Sequence, residues 1–307
     1  LDISTAFLNG DIGGDVYVKQ PPGFVDKNHP NKVWKLKKAL YGLRQSPRIC
    51  QASFIRDAIS KFGLDFLPAV RTPMDTATDL TPTPGFKSSL PDSNRYRYRS
   101  MVGTLAWVAN WTRPELAFAV HKLQRYQSNP EPKHFEAAQR AFRYLKGTQS
   151  ERLRLGGDLI LRAYTDADFC QDRVDGKSVS GYVIMLGDSP IVWASRLQTA
   201  VTTSTAEAEY LALRSGLKDI MWLRHLLLDL GCPQAEPTPV VEDNSACIEW
   251  ARDMVVSRKI RHFHVSYHLA KEQVNLGTIR MHYAKTSDQL ADIFTKALNA
   301  EVFERHQ

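Results

Sequence analysis

The chain has 307 residues, of which 43% are hydrophobic, and this length allows about two globular domains. Its formal net charge is +7, and no apolar run approaches the ~20 residues of a membrane-spanning helix, which argues against a membrane partner. Four cysteines are scattered without a CxxC pair or a disulfide framework. We therefore expect an intracellular protein, cytoplasmic or nuclear and not secreted. The start at Leu1 without a signal peptide indicates a fragment.

The positive charge is concentrated in the middle of the chain. Residues 95–155 carry 12 Lys and Arg against 4 Asp and Glu, whereas residues 156–307 carry 16 against 20. A basic segment beside an acidic one is typical of a protein that grips a polyanion with one part and acts on it with another. Nucleic acid is therefore the expected partner.

The first half of the chain contains a short helix, a linker and a helical region. Ile55, Ile59 and Phe62 have helical spacing, and residues 67–92 are rich in Pro, Thr, Ser and Asp, as in a linker. Between residues 95 and 146 the apolar spacing predicts three helices. Pro114 suits the first turn of the second, and Gly147 ends the third.

Aromatic residues interleave with basic residues along these three helices. This pattern indicates contact with a nucleic-acid backbone together with base stacking. The sequence leaves an alternative open, in which the rings form a core and the charges lie on a solvated face. The candidate nucleic-acid-binding residues are Arg95, Arg97, Arg99, Arg140, Arg143 and Lys146.

Residues 155–307 show strand and helix patterns in mixed order. Strands are predicted at 159–165, 179–186, 191–194, 239–243 and 278–284. A helix opens at Ser204 with Glu207 three residues later, which is the spacing of a capping box. Further helices are predicted at 245–252 and 289–298. This mixture predicts an α/β fold with a mixed sheet.

Four carboxylates of this region lie at the ends of predicted elements. Asp166 and Asp243 close strands, Asp288 opens a helix, and Glu209 lies one turn into another helix. Glu209 shares an apolar stripe with Leu213, where a carboxylate is costly unless something pairs with it. Such oxygen ligands suit Mg²⁺ or Mn²⁺. Two such ions activate water and stabilise the leaving oxygen in phosphodiester cleavage.

Five motifs occur in this region, in the order YTDADF, STAEAEYLAL, EDNSACIEWA, RHFHVSYHLAKEQV and TSDQLADIFTKAL. They resemble the ribonuclease H domain of copia-type LTR retrotransposon Pol polyproteins. The resemblance implies a ribonuclease H-like mixed five-stranded sheet with flanking helices. It also implies a metal-dependent endonuclease that cleaves the RNA strand of RNA–DNA hybrids with two Mg²⁺ or Mn²⁺ ions. The catalytic metal ligands that it implies are Asp166, Glu209, Asp243 and Asp288.

Residues 1–50 resemble a truncated reverse transcriptase of the same family. Asp2 matches the first metal-binding aspartate of the polymerase palm, but the chain lacks the Asp-Asp dipeptide of the family's second motif. In the family a long palm segment separates RQSPR from a Q-x-x-(F/Y)-I element, whereas here Arg48 and Gln51 are nearly adjacent. We therefore expect an inactive polymerase. The implied segments are a reverse transcriptase remnant (1–50), a helix and linker (51–94), a helical connection (95–154) and a ribonuclease H-like domain (155–307).

Two further carboxylates are alternatives within the same motifs. Asp168 shares a strand face with Asp166 and is expected to lie outside the ligand set. Asp292 lies four residues after Asp288, on the same helical face, and is an alternative ligand.

Three histidines, His262, His264 and His268, lie close together in the sequence without the Cys or carboxylate pattern of a closed zinc site. His264 stands where the family usually has Asp. A surface or packing role is expected for it.

Three functions compete for this sequence. The first is the hybrid-cleaving nuclease, for which other Pol segments are possible partners. The second is a degenerate or repurposed retroelement remnant that binds nucleic acid without catalysis. The third is an integrase or transposase, but those families place their Glu last, whereas Glu209 comes second here.

Overall fold

The computed structural model describes residues 15–21, 24–37, 46–86, 92–252 and 268–307. The chain divides into two compact units, the first comprising Leu1–Ala69 with Leu145–Arg152 and the second comprising Val70–Tyr144 with Leu153–Gln307. The boundaries of the four segments expected from the sequence stay a prediction. Asp2 lies outside the described residues.

The first unit contains a strand pair and a helix. Strands β1 (Tyr17–Lys19) and β2 (Val33–Lys35) pair antiparallel, and helix α1 spans Ser46–Lys61. The predicted helical spacing is confirmed, because Ile55, Ile59 and Phe62 are all buried.

Three helices form the middle of the chain, as the spacing predicted. They are α2 (Asp92–Trp111), α3 (Ala117–Gln124) and α4 (Pro132–Gly147), and Pro114 opens a short 3₁₀ turn before α3. Tyr98 and Tyr144 are fully buried, so these two rings belong to the core, whereas the rings of Tyr96 and Trp111 are exposed.

The second unit is built on a five-stranded mixed sheet. Its strands are β3 (Leu161–Asp168), β4 (Val179–Leu186), β5 (Ser189–Leu197), β6 (Thr238–Glu242) and β7 (Ile279–Tyr283). The order is β5-β4-β3-β6-β7, with β5, β4 and β3 antiparallel and β3, β6 and β7 parallel. The predicted α/β fold, a mixed five-stranded sheet with flanking helices, is confirmed.

Helix α5 (Thr205–Asp229) covers one face of this sheet. Ser204 caps it by accepting a hydrogen bond from the amide of Glu207 at 3.2 Å, as the capping-box spacing predicted. Leu213, Leu217 and Ile220 of α5 pack against Tyr182 of β4 in the main hydrophobic core. Helices α6 (Ser245–Arg252), α7 (His268–Asn275) and α8 (Ala300–His306) complete the described helices, none of which is long and apolar enough to cross a membrane.

The helix predicted at 289–298 is not formed, and a short 3₁₀ helix, Leu290–Phe294, occupies half of that range. Another 3₁₀ turn, Thr286–Asp288, precedes it, and the two are separated by Gln289, whose backbone is extended. This segment lies against β4 at Gly181, where an added Cβ would come within 2.6 Å of the Thr295 side chain. The predicted helix is broken because the buried side chain of Gln289 bonds to the sheet instead.

Helices α2 and α3 are part of the same unit as the sheet. The indole of Trp193 on β5 donates to the carbonyl of Ala109 on α2 at 2.9 Å. The His121 ring on α3 lies 3.1 Å from the hydroxyl of Ser195, also on β5. These contacts show that α2 and α3 cover the edge strand of the sheet.

Candidate metal centre

Three of the predicted carboxylates meet at one end of the sheet. Each of Asp166, Glu209 and Asp243 offers an oxygen, and these oxygens all lie within 4.8 Å of one another. The parallel pairing of β3 with β6 sets Tyr164 opposite Val241, so Asp166, which lies within β3, is level with Asp243, which follows β6. The strand that was predicted to close at Asp166 continues to Asp168. Glu209 reaches them from the first turns of α5 and is buried, as its position on the apolar stripe predicted.

Burial raises the pKa values of Asp166 and Glu209 and so favours their neutral, protonated forms. It raises the pKa of Asp166 to about 7, and the neighbouring carboxylate of Asp292 adds to the effect. Burial and the carboxyl of Glu242 hold the pKa of Glu209 well above its ordinary value. The Oε2 atom of Glu209 is buried without a hydrogen-bond partner within the described ranges. A divalent cation fits such a site, because it offers oxygen ligands and an unsatisfied buried acceptor.

The fourth predicted ligand, Asp288, lies outside this cluster. Its carboxylate is exposed and accepts a hydrogen bond from the neighbouring Ser287 hydroxyl at 3.1 Å. The reason is local, because Gln289, the first residue of the expected helix 289–298, is extended, and Asp288 and Asp292 therefore do not share one helical face. The acidic group found in the described part of the chain contains only the other three predicted ligands.

Asp292, the alternative ligand, lies on the cluster side of the 3₁₀ helix. Its side chain is 4% exposed, and its Oδ1 lies 2.9 Å from the ammonium of Lys296. The buried hydroxyl of Thr295 joins it to the centre, donating to Asp166 and lying 3.1 Å from the carbonyl of Asp292. Burial alone would lower the pKa of Lys296, but the carboxylates of Asp166 and Asp292 raise it.

Glu242 is a member of the acidic region that the sequence reasoning missed. It is fully buried at the end of β6 and accepts hydrogen bonds from the Thr165 hydroxyl at 2.8 Å and the Asn244 amide at 3.2 Å. Burial raises its pKa to about 8. The period of two along β6, with Thr238 and Val240 also buried, is the sequence signal that places Glu242 on the inner face.

A cavity of about 320 Å³ adjoins the carboxylates through Asp168. Asp168 is half-buried and accepts a hydrogen bond from the Gln171 amide at 2.7 Å, and it is absent from the acidic group, as expected from the sequence. Lys122 of α3 and Lys296 also line the cavity. Burial, with the charge of nearby Arg125, lowers the pKa of Lys122 to about 8. The sequence reasoning did not select Lys122.

Several of the predicted nucleic-acid-binding residues make contacts within the chain. Arg140 lies 2.9 Å from the Thr72 hydroxyl and 3.3 Å from Asp75, and Lys146 donates to the carbonyl of Leu67 at 2.9 Å. Arg99 donates to the carbonyl of Gln127, and Arg95 pairs with Asp92. Arg97 is exposed and Arg143 half-buried. A nucleic-acid role for these six residues stays a prediction.

Of the three histidines singled out in the sequence, the structure describes only His268. His262 and His264 lie outside the described residues. His268 is exposed at the start of α7 and is absent from the acidic group.

The amino-acid sequence of this chain is similar to those of known proteins. The chain is 31% identical to the retrovirus-related Pol polyprotein from transposon RE2 of Arabidopsis thaliana and 29% identical to that from transposon RE1 of the same plant. Each alignment covers 99% of this chain. The chain belongs to the copia-type retrotransposon Pol polyproteins. It spans about a quarter of the length of these Pol relatives, 27% and 26% respectively.

Two details of the comparison bear on the Pol segments. A family model described as reverse transcriptase (RNA-dependent DNA polymerase) matches residues 1–74. Both Pol alignments span 394 positions, more than the 307 residues of this chain, so they include positions that this chain lacks. If this chain lacks a palm segment, as the sequence predicts, an alignment with a Pol polyprotein that has one must contain such positions.

A solved structure, LC11-RNase H1 isolated from compost by a metagenomic approach, is also similar to part of the chain. It is 17% identical, with a TM-score of 0.35, and the match covers 48% of this chain and 97% of that protein. The fold assignment rests on the order and direction of the five strands.

Proposed function

We propose that this chain is a metal-dependent endonuclease that cleaves the RNA strand of RNA–DNA hybrids. The observation that carries the proposal is the convergence of Asp166, Glu209 and Asp243, whose ligand oxygens lie within 4.8 Å of one another. Carboxylates this close repel one another when ionised, and a bound divalent cation removes that cost. Membership of the Pol family supports a nucleic acid as the substrate.

The proposed ligands of two Mg²⁺ or Mn²⁺ ions are Asp166, Glu209, Asp243 and a fourth aspartate. Asp288 has the position that the family resemblance implies, but its exposure favours Asp292, which is buried and acts electrostatically on Asp166. When bound, such ions activate a water molecule and stabilise the leaving oxygen in phosphodiester cleavage.

The remaining residues of the site bind and orient the substrate in this proposal. Lys296 offsets part of the negative charge of the acidic group, since it pairs with Asp292 at 2.9 Å. Lys122 lines the cavity beside Asp168 and is placed to contact a backbone phosphate next to the cleaved bond. Exposed basic residues such as Arg97 extend the contact along the hybrid.

The proposal is tested with Asp243→Asn in a cleavage assay on a labelled hybrid with Mg²⁺. The substitution keeps the shape of the side chain and removes the charge that retains the ion, so cleavage falls by orders of magnitude. Hybrid binding persists, because it depends on phosphate contacts elsewhere. Asp168→Asn is the matched control and costs far less. Equal cleavage by Asp243→Asn and the unaltered chain would refute the metal-site assignment.

A second candidate is a degenerate or repurposed remnant that binds nucleic acid without cutting it. The missing Asp-Asp dipeptide favours it, because that dipeptide forms the second metal-binding motif of the polymerase that residues 1–50 resemble. In either case we expect no polymerase activity, a cytoplasmic or nuclear location, and other Pol segments as partners. Hybrid binding by the unaltered chain without any cleavage in Mg²⁺ or Mn²⁺ would support this second candidate.

A further inference from the structure

One buried amide connects three backbone segments that carry the carboxylates. Gln289 has no solvent exposure, and its Nε2 donates to the carbonyl of Thr165 at 2.8 Å and lies 3.4 Å from the carbonyl of Val241. Its Oε1 accepts a hydrogen bond from the amide of Ala291 at 3.3 Å. A single side chain therefore bonds to β3, to β6 and to its own 3₁₀ helix.

The bonded groups lie one or two residues before the proposed metal ligands along the chain. The Thr165 carbonyl belongs to the peptide that leads into Asp166, and the Val241 carbonyl lies two residues before Asp243. The Ala291 amide lies one residue before Asp292. The position of Gln289 thus fixes the backbone beside three of the four proposed ligands.

The neighbouring contacts make this connection rigid. A buried amide is stable only when its donors and acceptors are bonded, so Gln289 cannot rotate away without losing those bonds in the interior. Its backbone is extended, with φ −83° and ψ 98°, and this breaks the helix expected at 289–298. The side chain then caps the 3₁₀ helix on which Asp292 lies.

We propose that Gln289 is the positioning residue of the metal centre. Its amide holds the ends of β3 and β6 at a fixed separation and orients the 3₁₀ helix, so that the carboxylates of Asp166, Asp243 and Asp292 are arranged before an ion arrives. The proposal rests on the proposed function, since it concerns the same ligands. Gln289 touches no substrate and acts only through the backbone.

A comparison of Mg²⁺ and Ca²⁺ affinity can show whether Gln289 positions the metal ligands or only stabilises the fold. Mg²⁺ requires near-ideal octahedral geometry, whereas Ca²⁺ accepts flexible arrangements at longer distances. A loosened cluster therefore loses affinity for Mg²⁺ far more than for Ca²⁺. Residues that orient metal ligands typically change metal affinity by about 10–100-fold when they are replaced.

The chain offers a matched control at the other end of the same strand. Gln234 also uses both ends of its amide on backbone groups, donating to the carbonyl of Leu159 at 2.7 Å and accepting from the amide of Leu161 at 2.9 Å. Leu161 begins β3 five residues before Asp166, a distance of about 16 Å along a strand. Replacing Gln234, which is half-buried, removes bonds of the same kind to the backbone without touching the cluster.

The test measures Mg²⁺ and Ca²⁺ affinity of the full chain by calorimetry, together with the unfolding temperature in EDTA. Gln289→Met keeps the length and removes both hydrogen-bonding ends, and Gln234→Met is its control. Both variants lose stability in EDTA, but only Gln289→Met loses Mg²⁺ affinity, by about 10–100-fold, with a much smaller change for Ca²⁺. Gln289→Asn retains a shorter amide and supplies the same comparison if Gln289→Met does not fold.

The outcomes separate this inference from the proposed function. Unchanged Mg²⁺ affinity in the folded Gln289 variant, or equal losses for Mg²⁺ and Ca²⁺, overturns the positioning role and leaves the nuclease proposal intact. Selective loss of Mg²⁺ affinity supports the positioning role even if the unaltered chain cleaves no hybrid. An unaltered chain that binds no Mg²⁺ overturns both proposals.

Discussion

The Asp166→Asn substitution is expected to remove a pH dependence of stability from the metal-free protein. In the folded state, burial and the Asp292 carboxylate raise the pKa of Asp166 from its ordinary value of 3.8 to about 7. Between these two pH values the folded protein holds a proton that the unfolded chain has released. Raising the pH through this window therefore favours the unfolded state.

The size of the effect follows from the shift of the Asp166 pKa. Each pKa unit corresponds to ~1.4 kcal/mol, so a rise from 3.8 to about 7 amounts to ~4 kcal/mol of stability lost between pH 4 and pH 7. Asn cannot ionise and keeps a similar shape. Asp166→Asn is therefore expected to become more stable than the unaltered chain by up to ~4 kcal/mol as the pH rises through this window.

Urea unfolding in EDTA at several pH values from 4.5 to 8 measures this difference in the free energy of unfolding. Asp229→Asn is the control, because Asp229 is exposed at the end of α5. Added Mg²⁺ should stabilise the unaltered chain more at pH 8 than at pH 5, since protons compete with the ion for the carboxylates, and should stabilise Asp166→Asn little. The reasoning would be refuted if the difference in the free energy of unfolding between Asp166→Asn and the unaltered chain stayed constant with pH.

The other predictions concern the fourth ligand, the packing beside the site and the middle helices. Asp292→Asn should reduce cleavage by ~10²-fold or more, while Asp288→Asn changes it little, as hybrid cleavage rates will show. Gly181→Ala should cost ~1–3 kcal/mol in urea unfolding and weaken Mg²⁺ binding, because the added methyl group displaces the 3₁₀ helix. Glu115→Ala should cost ~3–5 kcal/mol in urea unfolding, because it removes a buried carboxylate that lies 2.5 Å from the guanidinium of Arg113, which is 2% exposed.

Each of these predictions has a control within the chain. A Cβ added at Gly103 in α2 has no atom within 4 Å, so Gly103→Ala should raise stability by ~0.5–1 kcal/mol. A loss of stability in both glycine variants would indicate a general effect of alanine and not a clash at Gly181. Arg71→Ala breaks an exposed pair with Glu304 and should change stability far less than Glu115→Ala. If Asp288→Asn were the inactive variant and Asp292→Asn the active one, the geometric choice of the fourth ligand would be wrong.

The sheet could be predicted from the sequence because its signals are local. Alternation and turn residues located the five strands of the mixed sheet to within a few residues, whereas the short pair β1 and β2 was not predicted. The capping spacing at Ser204 located the start of α5. The burial of Glu209 followed from its position on the helical stripe. The docking of α3 on the edge strand could not be predicted, because the contact between His121 and Ser195 joins residues far apart in the chain.

The site was predictable only where the ligands lie on regular elements. Asp166 lies in β3 and Asp243 directly follows the parallel strand β6, so their convergence follows from the pairing of these two strands. The last motif was misread in detail, because helical periodicity was applied to a segment that Gln289 interrupts. The buried bond from Gln289 to Thr165 depends on tertiary structure and leaves no periodic pattern in the sequence.

The central claim is that the clustered carboxylates support metal-dependent cleavage of RNA paired with DNA. The most direct measurement uses a hybrid labelled separately on each strand, incubated with the full chain in Mg²⁺, in Mn²⁺ and in EDTA. The account predicts shortened RNA with intact DNA in either metal, and no product in EDTA or with Asp166→Asn. Intact RNA in both metals while the hybrid is bound, or RNA cleavage that persists in EDTA, would contradict it.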